Sequence, residues 1–135
     1  MTRFRMFGIH LDQFAILNKE VRKEEIGMNV NLNFKYADGG RKVACIVAFD
    51  FFSASEKIMV LGITCEFEIQ EEDWKQYHKG EKVVIPKDLL EFFAVHTIGT
   101  ARGVLFCKTE NTQFNHIVIP PINVSEMKLE DLVVD

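Results

Sequence analysis

Glu66, Glu68 and Asp50 lie on strand-like patterns, where a carboxylate could serve as acid or base, but nothing near them in the chain supplies a nucleophile or a metal ligand. No serine stands in a G-x-S-x-G elbow, and neither a P-loop nor a G-x-G-x-x-G loop occurs. Gly99 and Gly103 are too close together to cradle phosphate and follow a helical segment, not a strand. His10, His78, His96 and His116 are scattered singly, and Cys45, Cys65 and Cys107 form no C-x-x-C. Metal sites draw such ligands together at short spacing. His96 reads as a helix histidine at an interface, and Trp74 as a cover for one end of a sheet. The expectation is a protein that is not an enzyme, with no metal and no cofactor, and with reduced, buried thiols in a cytoplasmic setting.

The 135 residues suit one domain, 1–135, with a single core. The net charge is −4 and no Lys/Arg cluster is present, which argues against nucleic acid as a partner. The opening MTRFRMFGIHLDQ is charged and alternating, unlike a secretory leader, and no apolar run approaches a membrane span, so no membrane insertion is expected. Phenylalanine is abundant, 12 copies against 2 Tyr and 1 Trp. Phe51-Phe52 and Phe92-Phe93 are adjacent pairs, and each must send its rings to opposite sides of its element. In a lone chain one ring of each pair would face water, which points to oligomerisation or an apolar partner.

Four strand patterns come first. Arg3–Asp12 alternates, with Phe4, Met6, Gly8 and His10 on one face and Phe7, Ile9 and Leu11 on the other. NVNLNFKY alternates strictly, with Val30, Leu32, Phe34 and Tyr36 on the dry side and asparagines on the wet side. Asp38-Gly39-Gly40 turns the chain into RKVACIVAFDFFSA, and SASEK turns it again into IMVLGITCEFEIQ, where Gly62 marks a bulge or a close approach. The reading is an antiparallel meander of four strands with Arg3–Asp12 first. The charged run Lys19–Glu25 reads as solvated connection. Pro86 then opens a helix that carries Leu89, Leu90 and Phe93 at helical spacing. Its continuation contains Gly99 and Gly103, and a break is expected near Thr97–Gly99 with helix resuming over Thr100–Thr109. Ser125 can cap a short C-terminal helix to about Leu132. Strands followed by helices make an α+β layer pair.

ARGVLFCKTENTQFNHIVIPPINV resembles the SecB protein-export chaperone family. That family has a Tyr-Ala-Arg-Glu-like helix motif and then a Phe-Pro-x-Leu-x-Leu-x-Pro-[Val/Ile]-Asn-Phe segment. Ala101-Arg102 match the Ala-Arg, and Phe114, Ile117, Ile119, Pro121, Ile122 and Asn123 match the later pattern in register. Asn115 and Val124 depart from it, and Ile98-Gly99-Thr100 stand where the family has Phe-Pro before its motif. Gln13–Met28 takes the place of the family's crossover connection. The resemblance implies a four-stranded antiparallel sheet packed on a long helix, with a short C-terminal helix. It also implies paired subunits, as a homo-dimer or homo-tetramer with the helices between sheets, and unfolded or nascent polypeptide held in apolar grooves. The family's acidic, metal-binding tail, which engages the translocase motor, is not expected here. The client would be a protein for export or a dedicated one such as an antitoxin.

The groove residues expected from that resemblance are Phe14, Leu17, Ile26, Met28, Ile117, Ile119, Met127 and Leu129. Met and Leu suit promiscuous recognition because they repack around varied side chains. Thr97, Gly99, Thr100 and Gly103 form a small-residue surface on the helix, and they are the expected subunit contact. Two other readings remain open. One is a dedicated assembly or structural partner on the same fold. The other is a hot-dog-like small-molecule binder, for which the helix entrance offers only His96.

Overall fold

The computed structural model describes residues 2–18 and 26–134. The charged run Lys19–Glu25 lies outside the described residues. Strands β2 (Ile26–Ala37), β3 (Lys42–Ser53) and β4 (Glu56–Ile69) follow one another as antiparallel hairpins. β1 (Phe4–Ile16) pairs with β4, so the sheet order is β1-β4-β3-β2. This corrects the expected meander: the first strand lies beside the fourth, a Greek-key order. Burial gives the reason. β4 is buried on both faces from Ile58 to Ile63 and needs a neighbour on each side. The strictly alternating β2, with one wet face, takes the far edge.

β1 also departs from simple alternation. Its register with β4 shifts between Met6 and Gly8 and again between Leu11 and Gln13, the second shift lying opposite Gly62. Each extra residue reverses which face the following side chains point to. The first shift turns Ile9 and Leu11 onto the face of Phe4 and Met6, opposite Cys65 and Ile63, and the second restores the original parity at Phe14. Gly8 and His10, expected beside Phe4 and Met6, are on the outer face, where His10 pairs with Glu66.

The two hairpin turns differ in chemistry. Asp38–Gly40 forms a 3-10 turn, as the glycines suggest. Between the register partners Ser53 and Glu56, Ala54 and Ser55 both take positive φ, 50° and 74°. Two positive φ values define the tight turn that matches strand twist, and Asn-Gly fits it best. Here two residues with a Cβ hold it.

After β4 come a single-turn helix α1 (Glu71–Trp74), the short strands β5 (His78–Lys79) and β6 (Lys82–Ile85), and the long helix α2 (Lys87–Lys108). Trp74 is buried and stacks on Tyr36, closing one end of the sheet. α2 runs unbroken through Thr97–Gly99, so the expected break is absent. Leu89, Leu90, Phe93, Ala94, Thr97, Ile98, Ala101 and Leu105 bury one side of it against the sheet. Two glycines cost a helix roughly 1 kcal/mol each, and burial of this apolar side outweighs them. The hydroxyls of Thr97 and Thr100 donate to the carbonyls of Phe93 and His96, at 2.8 and 2.9 Å. By length and composition α2 is apolar enough to cross a membrane, contrary to the sequence expectation. Its sheet-facing side is instead packed as the core helix of this fold.

Beyond α2 the chain doubles back along it. Arg102 donates to the carbonyls of Ile119 (2.6 Å) and Pro120 (3.0 Å), and Asp131 accepts from the backbone N–H of Lys87 (2.8 Å), capping α2 from the far end of the chain. The expected helix over Ser125–Leu132 is replaced by a 3-10 turn, Val124–Met127, and a strand β7 (Leu132–Val134) on β6. Lys128, at φ 55°, stops the turn, and the edge of β6 offers the apolar Leu132–Val134 a partner.

Replacing Ala54-Ser55 with Asn-Gly is expected to raise unfolding stability by about 1 kcal/mol, because it relieves two left-handed residues. Urea denaturation checks this, and an unchanged or lower midpoint would remove the strain argument.

Candidate functional site

An open cleft of about 370 Å³ lies between the start of β2 and the returning segment. Its walls are Ile26, Met28 and Phe51 on the sheet, and His116, Ile117, Val118 and Pro120 opposite. Met28 and Phe51 are register partners on β2 and β3. The facing wall is held by the buried Phe114, whose carbonyl accepts from the Ile117 N–H at 2.9 Å, and by the Arg102 clamp on Ile119 and Pro120. In this extended stretch Ile117 and Ile119 point inward and Val118 points out. His116 is the one titratable residue on the walls, and its Nδ1–H donates to the Gln113 carbonyl at 2.7 Å. The cleft offers mainly apolar contact, with the His116 imidazole as the titratable side chain on its walls.

Of the residues expected to line a groove, Ile26, Met28 and Ile117 come together here. Ile119 does not: it is fully buried in the core and is not among the residues lining the cleft, which corrects its expected role. Phe14 and Leu17 lie at the same end of the sheet, but β4 and β3 separate them from the cleft. Met127 and Leu129 are half-buried beyond it, in and after the C-terminal turn. Phe51, Val118 and Pro120 were missed. Phe51 could have been found from the alternation of β3, once its pairing with Met28 was known.

The small residues of α2 divide between two sides. Thr97 is fully buried against the sheet, so it cannot meet a second subunit, contrary to expectation. Thr100 is half-buried on the flank that reaches Cys65. Gly99 and Gly103 face outward, and a Cβ at Gly103 would meet nothing within 4 Å. Around them the outer side of α2 is apolar: Phe92, Val95 and Phe106 are 48%, 55% and 53% exposed. A second open cleft, of about 520 Å³, borders this side between Phe92 and Val95 of α2 and the stretch Ile122, Asn123, Val124 and Ser125.

The carboxylates considered for catalysis are engaged elsewhere. Arg5 pairs with Glu68 at 3.1 Å, Lys57 with Asp50 at 3.6 Å, and His10 with Glu66 on the open face of the sheet. Among the described residues no three metal-ligating side chains come together. Cys45 and Cys65 are register partners buried under Thr97, and burial pushes the Cys45 thiol up to about 12, against the smaller downward pull of the Thr97 hydroxyl. Burial raises Cys65 as well. Cys107 is exposed.

No family model matches the chain, and no curated protein matches it. Among solved structures it is similar to the SecB-like chaperone Rv1957 of Mycobacterium tuberculosis, solved in complex with a ChAD peptide from the Rv1956 HigA1 antitoxin. The TM-score is 0.55 at 11% identity, over 90% of this chain and 91% of that one. A protein of unknown function from Streptococcus agalactiae aligns over 91% of this chain and 99% of its own, with a TM-score of 0.44 and 10% identity. The chain therefore has an α+β, SecB-like fold: a four-stranded antiparallel sheet packed on a long helix.

In the native protein a thiol reagent such as DTNB is expected to label Cys107 quickly at neutral pH. Cys45 and Cys65 should react only on unfolding, since both are buried and their thiolates are disfavoured. Fast labelling of all three would place α2 off the sheet.

Proposed function

We propose that this protein is a SecB-like chaperone that holds unfolded or nascent polypeptide in the apolar cleft beside β2, for export or for a dedicated client such as an antitoxin. The observation that carries the reading is the cleft itself. Ile26, Met28, Phe51, Ile117, Val118 and Pro120, with His116 beside them, form an open and largely apolar trough, in a fold shared with a chaperone solved with a peptide bound. Such a trough suits extended chain segments of varied sequence. A protein serving one dedicated partner would use the same surface and differ only in the breadth of its clients.

A second copy of the chain covers the outer side of α2 in this proposal, giving a dimer or a tetramer. The exposed Phe92, Val95 and Phe106 supply the apolar contact, and the outward Gly99 and Gly103 let another backbone approach.

Purified protein is expected to suppress aggregation of a chemically unfolded substrate, followed by light scattering. Val118→Glu and Met28→Glu should each weaken substrate binding by about tenfold, since a charge in the trough must be desolvated. Val118 is largely exposed, so its variant tests binding without disturbing the core. Wild-type binding by both variants would sink the cleft as the site. Gly103→Leu has room in the single chain, and sedimentation should show a loosened assembly with an unchanged melting curve. An assembly that stays fully intact in this variant argues against the helix contact.

A further inference from the structure

The end of the sheet away from the cleft collects arginines. The cleft sits where Ile26 faces Ser53; at the other end Ala37 faces Lys42 and Arg5 faces Glu68. An open pocket of about 290 Å³ lies there, lined by Arg3, Phe4, Arg5, Arg41, Glu68 and Gln70. Three guanidiniums against one carboxylate make this wall basic in a chain whose net charge is −4.

Two of the three guanidiniums are already paired. Arg3 Nε–H donates to Asp73 at 2.9 Å, and its Nη2 lies 3.3 Å from Glu72. Arg5 Nε–H donates to Glu68 at 3.1 Å, which leaves its Nη donors for a guest. Arg41 differs. It is half-buried, and among the described residues no carboxylate pairs with it. Its Nη1–H donates to the Ile69 carbonyl at 3.2 Å, and its own carbonyl accepts from the Ile69 N–H at 2.9 Å. Both ends of the residue are thus tied to the end of β4. The tether through Nη1 leaves the Nε–H and Nη2–H edge, and that fork matches two oxygens of a carboxylate or a phosphate.

The backbone adds an independent sign. Arg41 takes φ 53°, directly after Gly39 and Gly40, neither of which has a positive φ. The left-handed conformation costs a residue with a Cβ, and glycine would hold it without strain. Strain of this kind gathers where the side chain is used. We infer that Arg41, with Arg5 and Arg3 beside it, forms an oxyanion site that takes the phosphate or carboxylate group of a small solute. The site stands at the opposite end of the sheet from the cleft and does not depend on client binding.

The test is isothermal titration of the full chain with inorganic phosphate and, separately, with succinate, in chloride buffer of matched ionic strength. Saturable binding is expected, with a Kd of about 1 mM. Phosphate bound alone identifies a phosphate ester as the natural solute, succinate alone a carboxylate, and both a site for either; each supports the inference. Arg41→Gly should weaken binding by about tenfold or more, through the lost charge-assisted pair. Its melting temperature should not fall, because glycine relieves the left-handed backbone. No saturable binding by the wild type up to about 50 mM, or equal affinity in Arg41→Gly, means an adventitious ion only and overturns the inference. If Arg41→Gly melts early, Glu68→Gln decides. Removing the competing carboxylate frees Arg5 and should tighten binding by about threefold, and an unchanged affinity overturns the site.

Discussion

Thr97 lies against the Cys45 and Cys65 thiols at the middle of the sheet, with Ala94 and Ala101 buried one turn to either side. Small side chains at these points let α2 approach the sheet closely, and Phe93 then stacks on Phe67 with ring centres 4.3 Å apart. Close packing of this kind gains many weak contacts and leaves little room for adjustment. It fixes which side of α2 is inward and therefore which residues are left outside. Phe92, Val95 and Phe106 are exposed because Thr97 is not.

The return of the chain along α2 depends on that position. Arg102 emerges at the flank of the helix and clamps two successive carbonyls, and Asp131 meets the helix start. Between these points Ile117 and Ile119 are buried in the core, and Val118 and Pro120 line the cleft together with Met28. The cleft is the gap between a packed segment and a sheet edge. Among the described residues its lining continues the apolar core outward, apart from His116.

The sheet shows how a local device can redirect a strand. Two shifts in β1 turn Ile9 and Leu11 to the helix side and His10 to the outside, then restore the pattern. Ile9 remains 56% exposed there, since α2 packs over β3 and β4 instead of over the edge. β2 keeps a single register along its whole length, so the two edge strands differ in their pairing geometry.

Much of this was legible in the residues. The period-two pattern of Val30–Tyr36, the Asp38–Gly40 turn and the apolar spacing from Leu89 to Phe93 each depend on neighbours within a few positions, so local physics decides them. The groove residues Ile26, Met28 and Ile117 were also in view, as apolar positions in segments matched to a known pattern. The pairing of β1 with β4, its two bulges, the unbroken α2 and the inward Thr97 and Ile119 were not. Each is settled by a partner far away in sequence. Gly99 is tolerated in α2 because the opposite side of that turn is buried on β3 and β4. Leu132–Val134 forms a strand because β6 lies beside it. The sequence determined the first four strands, the start of the long helix and the apolar character of the segments around the cleft. Only the tertiary structure decided which face of each element is covered, because burial is a property of the neighbours that folding brings and not of the residue itself.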